Sequence, residues 1–242
     1  MKPIIIFLLL CISTTLFSQK ISGKITYVVS MEPISEKIID SVSKKNILKK
    51  TRMDKWVQNI LKNTPNVNAF LSFSKEESLY KVEDEMQNDG KSIFNMNRIF
   101  AGGDNKYYKN TATKEQFRES STFGDLLLIE MLPKKWQITQ ETKKIGNYVC
   151  FKAIDIESKN TKMKPLVWFT PEIPVSFGPK EFSGLPGLVL LVEMHKRRIE
   201  ATKIILNPAE EIEITKPEKG KKITAEEIEK RGKSFWKRTR KQ

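Results

Sequence analysis

Histidine occurs once in the chain, at position 195, and cysteine twice, at 11 and 150. That scarcity removes whole classes of chemistry. A serine or cysteine hydrolase needs a base, most often an imidazole, to activate its nucleophile. The one candidate, His195, stands beside Lys196, Arg197 and Arg198, a composition that suits a surface turn. A zinc site takes three or four Cys, His or carboxylate ligands, and one histidine with one mature cysteine falls short of the usual soft set. Gly102-Gly103 is not followed by the Gly-Lys-Ser/Thr of a phosphate-binding loop. The pattern therefore calls for no cofactor and no metal. The carboxylates Asp125, Glu130, Glu172 and Glu181 are what remains for a glycosidase-type pair, and nothing in their spacing makes any two converge. A non-enzymatic protein is expected, with a carboxylate-dependent hydrolase as a distant alternative.

Long apolar runs are equally scarce. One lies at the start, where Met1-Lys2-Pro3 precedes the nine apolar residues Ile4 through Ile12, then Ser13-Thr14-Thr15 and Leu16-Phe17-Ser18-Gln19. Nine residues fall well below the roughly twenty that a membrane-spanning helix needs, and a basic start, a short apolar core and a small residue at the end make an export signal. Cleavage is expected after Ser18, which makes residues 1–18 a leader. Cys11 sits inside the apolar core behind Leu8-Leu9-Leu10, where a lipid-attachment site would place small residues, so a soluble periplasmic or cell-surface protein is favoured over a lipoprotein. Loss of Cys11 leaves Cys150 alone, and no intramolecular disulfide can form. Its setting, Tyr148-Val149-Cys150-Phe151-Lys152-Ala153, is that of a small core hydrophobe. Elsewhere the longest apolar run is Leu188 to Val192, the length of a buried strand.

What is present in quantity is positive charge and phenylalanine. The formal net charge is +14, and 13 Phe with 39% hydrophobic residues argue for a packed core rather than disorder. Residues 216–242 carry eleven Lys or Arg against four Glu, which is half of the net charge. For an exported chain the available acidic partners are anionic envelope surfaces, and nucleic acid is not expected. The plainer reading of the same tail is a solvated helix face. Residues 19–215 form the β-rich domain in this reading and 216–242 a basic linker and helical tail.

Periodicity orders the elements. Ile21 to Met31 alternates as a half-buried strand. From Ile34 to Asn63 the apolar residues Ile47, Leu48, Trp56, Val57, Ile60 and Leu61 recur near a helical period, which predicts a helical insertion. Alternation returns at Val67–Phe73 and Leu79–Val82. Residues 84–97 read as an exposed loop. Short strands follow around Lys106–Lys109 and Glu115–Arg118, then Asp125–Glu130, Lys135–Thr139, Tyr148–Ile156 and Leu166–Thr170, with a tight turn at Gly146-Asn147. Pro171-Glu172-Ile173-Pro174-Val175 cannot sit in a sheet interior, because proline donates no ladder hydrogen bond. Leu188–Met194 and Ile199–Ile205 pair as a hairpin turning at Lys196-Arg197. Pro217 to Lys222 reads as a linker, and Thr224-Ala225-Glu226-Glu227 is a capping box that starts a tail helix. Phe235-Trp236 on that helix would pack on the domain or insert at a membrane interface.

The segment Phe177-Gly178-Pro179 through Gly184-Leu185-Pro186-Gly187-Leu188, preceded by Lys135-Trp136-Gln137-Ile138, Gly146-Asn147-Tyr148 and Val167-Trp168-Phe169-Thr170-Pro171, resembles the GLPGLI family of exported Gram-negative proteins. Val189 stands where the family motif ends in Ile. The resemblance implies export and a common fold. It implies no catalytic residue, since the family has no established activity. Physically, Pro186 fixes its own φ and extends Leu185, while Gly184 and Gly187 permit positive φ or close backbone approach. The signature Gly184, Leu185, Pro186, Gly187 and Leu188 is thus a shaped turn delivering a strand into the core.

The expected fold is mainly β within an α+β frame: a curved antiparallel sheet or incomplete barrel, with the helical insertion after the first strand and a C-terminal helical tail. The expected role is binding of a hydrophobic or lipid-like ligand, with Trp136, Trp168 and Phe182 as candidate lining residues. The rival is an interaction or assembly module for an outer-membrane partner, with the basic tail as a contact.

Overall fold

The computed structural model describes residues 21–32, 64–84, 94–122, 124–158 and 164–239, with the backbone alone at 122 and 235–239. The expected leader at 1–18, the helical insertion at 34–63 with its Trp56 stripe, and the side chains of Phe235 and Trp236 lie outside the described residues. What is described is one open sheet of twelve strands in the order β12-β6-β5-β4-β3-β2-β1-β11-β10-β9-β8-β7, bearing out the mainly β expectation.

The first half of the sheet is β1 (Gly23–Met31), β2 (Val67–Ser74), β3 (Glu77–Val82), β4 (Lys106–Asn110), β5 (Gln116–Thr122) and β6 (Asp125–Glu130). The second is β7 (Trp136–Ile145), β8 (Tyr148–Asp155), β9 (Leu166–Thr170), β10 (Leu188–Met194), β11 (Arg197–Leu206) and β12 (Lys221–Ile223). All neighbouring pairs are antiparallel except β12 with β6, which run parallel. Alternation sets the faces: Ile25, Tyr27 and Val29 of β1, Ala69, Leu71 and Phe73 of β2, and Tyr80 and Val82 of β3 are all buried on one side. The two-residue turn at Gly146-Asn147 is present, with Ile145 paired to Tyr148 and Gly146 at φ 56°.

Three local features differ from the sequence-based expectation. A short helix, α1 (Met96–Ala101), ends what was read as a loop over 84–97. The Asn95 side chain caps it, accepting from the amides of Asn97 at 2.9 Å and Arg98 at 3.2 Å, and six residues are too few to show helical periodicity. The β10–β11 hairpin turns one residue earlier than expected, at His195-Lys196, with Met194 paired to Arg197 and the exposed His195 at φ 55°. The stretch 217–222, read as a linker, ends inside the twelfth strand. Ile223 packs there with Leu127 and Ile129, and Ile228 leans on them. The tail helix α2 (Ala225–Thr239) starts at the expected capping box, with both arms closed: Thr224 N donates to Glu227 Oε2 at 2.9 Å and Glu227 N to Thr224 Oγ1 at 3.2 Å.

The concave side of the sheet is filled by the chain itself. Between β9 and β10, residues 171–187 cross it as a plug whose Ile173, Phe177, Phe182 and Leu185 are all at most 2% exposed. Phe177 packs against Phe73 of β2 with ring centroids 5.6 Å apart and the rings tilted by 37°. Phe100 and Ala101 of α1 join the same core, and Lys180 Nζ donates to the Phe100 carbonyl at 3.1 Å. On the opposite face of β4, Tyr108 stacks with Phe117 at 5.0 Å and is covered by Ile214 of the strap that leads to β12.

Candidate functional site

The signature turn holds the plug in place by two different means. Gly184 has φ 90°, a conformation a side chain resists. At Gly187 the constraint is space: a Cβ would lie 2.2 Å from the Thr170 carbonyl oxygen. Leu185 and Leu188 anchor the turn in the core, whereas Pro186 is exposed. The turn leads directly into β10.

Ser183, just ahead of the signature, joins strands far apart in the sheet. Trp136 Nε1 at the start of edge strand β7 donates to its carbonyl at 2.9 Å, and Lys109 Nζ of β4 donates to its hydroxyl at 3.1 Å. Seven strands separate β4 from β7 in the sheet order, so only a strongly curved sheet can bring both to one residue. Lys109 Nζ also donates to the Ser176 carbonyl at 3.1 Å.

Around Lys109 the ends of β4, β5 and β6 leave an open cleft of about 740 Å³. Its apolar wall is Phe117, Leu128, Met131, Leu132, Pro133 and Ile223. Ser176 and Gly184 of the plug line it from the sheet's concave side, and the β12–α2 junction closes it with Lys222, Thr224 and Glu227. The charged lining is balanced, with Lys109, Lys114 and Lys222 against Glu115, Glu130 and Glu227. Glu115 is engaged by Lys216 at 2.7 Å and held below its ordinary pKa by that contact. Lys109 is different: burial lowers its ammonium to about 8, and no carboxylate lies within ion-pair distance of it among the described residues.

The three aromatic residues expected to line a ligand cavity are placed otherwise. Phe182 is 1% exposed inside the plug, with Lys134 and Lys180 ammoniums 5.7 and 5.8 Å from its ring centre. Trp168 lies on the outer face, donating from Nε1 to Glu193 Oε2 at 2.9 Å under Lys143 Nζ, 4.4 Å from the ring centre. Trp136 is half-buried and spends its one donor on Ser183. None of the three lines the cleft. Among the carboxylates singled out from the sequence, Asp125 faces Arg231 at 3.6 Å and Glu172 accepts the Val149 amide at 2.8 Å. Glu181 lies near the Tyr80 and Tyr107 phenols, and Glu130 alone of the four lines the cleft. Cys150 is fully buried, and burial pushes its thiol up to about 11, so it is a poor nucleophile.

The residue that sequence reasoning missed is Lys109. Its register was available, since it shares a face with the inward Tyr107, but Tyr108 makes the other face look equally apolar.

A model of a protein family of unknown function, Porph_ging, matches residues 157–191, which hold β9, the plug and the start of β10. No curated protein matches the chain. Two solved structures of PNGF-II are similar in fold, each at TM-score 0.50, with 16% and 17% identity over 87% and 86% of this chain. The chain spans 32% of the length of those PNGF-II chains. At that identity the likeness is one of fold, and it agrees with a β-rich architecture whose plug segment carries the family match.

Proposed function

We propose that this chain is an exported envelope protein of the GLPGLI type that binds a hydrophobic or lipid-like ligand without transforming it. The observation that carries the reading is the cleft at the ends of β4, β5 and β6. Its 740 Å³ falls within the roughly 300–1,000 Å³ typical of small-molecule sites. Its apolar lining includes Leu128 and Ile223, which belong to two small buried clusters, and the rest of its lining is polar or charged, so an amphiphile is the kind of ligand that leaves neither part mismatched. The apolar wall is not fully covered: Leu132 is 70% exposed at the cleft mouth.

The GLPGLI assignment is supported by the signature residues Gly184 to Leu188 and by the family match over the same segment. Export is supported by the layout of residues 1–19. The deciding experiment is native mass spectrometry of the full-length protein purified from its own cell envelope. A co-purifying amphiphile, lost when Ile223→Asp places a charge in the apolar wall, is the expected outcome. A ligand-free protein that also takes up no amphiphile on titration would end the reading.

A further inference from the structure

We infer that the ligand of this cleft is an aliphatic chain ending in a single carboxylate, received by the Lys109 ammonium. This rests on the ligand-binding reading above and specifies its chemistry.

Folding places Lys109 Nζ in the cleft floor, donating to two neutral oxygens, the Ser176 carbonyl and the Ser183 hydroxyl, both at 3.1 Å. An ammonium has three donors, so one N–H remains for the cleft. Desolvating a cation without an opposite charge is unfavourable, and the cost appears as the lowered pKa of this group. The nearby negative groups do not relieve it: Glu115 is engaged by Lys216, Glu227 closes the capping box of α2, and Glu130 stands opposite Phe117 on the other face of the sheet. A bound anion would offset that cost in a way a neutral head group would not.

Number and geometry of donors select the anion. One free N–H on a point charge suits one acceptor oxygen of a monoanion. A phosphate monoester asks for several donors or a bidentate guanidinium, and among the described residues no arginine lines the cleft. The other titratable lining groups, Lys114, Lys222, Glu115, Glu130 and Glu227, sum to one formal negative charge, leaving no polybasic field for a dianion. From Lys109, Met131, which packs on the concave core, and Leu132 beyond it offer a path along which the chain of the ligand would run outwards.

The test compares palmitate, hexadecanol and hexadecyl phosphate by calorimetric titration of the full-length protein. Palmitate is expected to bind at least about tenfold more tightly than either, the effect of one charge-assisted hydrogen bond. Lys109→Met should bring palmitate to the level of hexadecanol, and Lys109→Arg should keep a preference for the anion. Equal binding of palmitate and hexadecanol by the wild-type protein overturns the inference and leaves the ligand-binding reading standing, as does tighter binding of the phosphate. Failure of all three to bind overturns both. Lys109→Met also removes two contacts to the plug, so a second measurement uses the wild-type protein alone. Carboxyl-labelled palmitate should titrate at lower pH when bound than when dispersed in neutral detergent micelles. A bound carboxyl that titrates higher, as burial in an apolar wall without a cation would make it, overturns the assignment to Lys109.

Discussion

The Tyr27 hydroxyl donates a 2.6 Å hydrogen bond to the carbonyl of Val189, reaching from β1 across β11 to β10. The acceptor lies where the β9–β10 register slips between Val189 and Leu191, at the point where the signature turn enters the sheet. Bulges disturb the regular ladder and leave backbone groups to be satisfied in other ways. Tyr27 is 0% exposed and stands at the head of an edge-to-face series with Tyr80 and Tyr107, at 6.3 and 5.8 Å.

Tyr27→Phe keeps the ring and removes the donor, leaving the Val189 carbonyl without it in a dry interior. The expected loss is about 1–3 kcal/mol, read as a lower denaturant midpoint at unchanged slope. A midpoint equal to that of wild type would show that the carbonyl is satisfied without Tyr27.

Two glycine-to-alanine changes should move stability in opposite directions. At Gly187 the new methyl would meet the backbone of Thr170, with the carbonyl oxygen 2.2 Å and the carbonyl carbon 2.6 Å away, so the strand or the turn must shift. A loss of about 1–3 kcal/mol is expected. Gly232, inside α2, has nothing within 4 Å of the same position, and alanine there should raise stability by about 0.5–1 kcal/mol. Chemical denaturation of both variants beside wild type checks the pair, and a neutral Gly187→Ala would mean that the plug is looser than its contacts indicate.

Alkaline pH should unfold the protein. Burial raises the phenols of Tyr27 and Tyr80, takes Tyr107 to about 12 and the Cys150 thiol to about 11. A group whose folded pKa is raised holds its proton more tightly in the native state, so its stabilisation is complete below the unfolded value and is lost as pH climbs through the folded one. Unfolded values are about 8.5 for cysteine and about 10 for tyrosine, which sets the decline from about pH 9 to 12. Lys109 runs the other way: lowered to about 8, it adds stability as pH rises from there to about 10.4, its unfolded value. Thermal melts over this range should stay level near pH 9 and then fall steeply, with tyrosinate absorbance rising at the unfolding transition. Tyrosine titration near pH 10 with the fold intact would contradict the burial of the series.

Ending the chain at Thr215 should damage the cleft before it damages the core. The deletion removes β12 and α2, opens the edge of β6, and takes away the Ile223 contact with Leu127 and Ile129. Amphiphile binding should be lost and self-association should increase, since an uncovered strand edge pairs with other chains. Size-exclusion chromatography and calorimetric titration on the truncated protein measure both. Retention of full binding would show that the tail is not part of the site.

The fold was largely legible from residue order. Alternation in β1 and β2, the Gly146-Asn147 turn, the proline-marked departure after β9 and the capping box at Thr224 are local signals, each decided within a few neighbouring residues. The helix α1 escaped because one and a half turns cannot display a period, and β12 because three residues of mixed polarity look like linker until Ile223 meets its partners.

The site was less legible, and the aromatic residues show why. Trp136, Trp168 and Phe182 signalled a cavity only by size. Size alone does not say whether a ring faces a ligand, a carboxylate or a core, and here Trp168 faces Glu193, Trp136 bonds Ser183 and Phe182 fills the plug.

Sequence alone therefore determined a mainly β chain with one histidine and a glycine-proline turn feeding a buried strand, because those properties depend on residue type and short-range pattern. Tertiary structure decided where the sheet curves, what fills it and that Lys109 is buried with no carboxylate within ion-pair distance among the described residues. Lys109 and Ser183 are 74 residues apart. Only the closing of β4 against the plug brings them together, and the chemistry of the cleft follows from that contact.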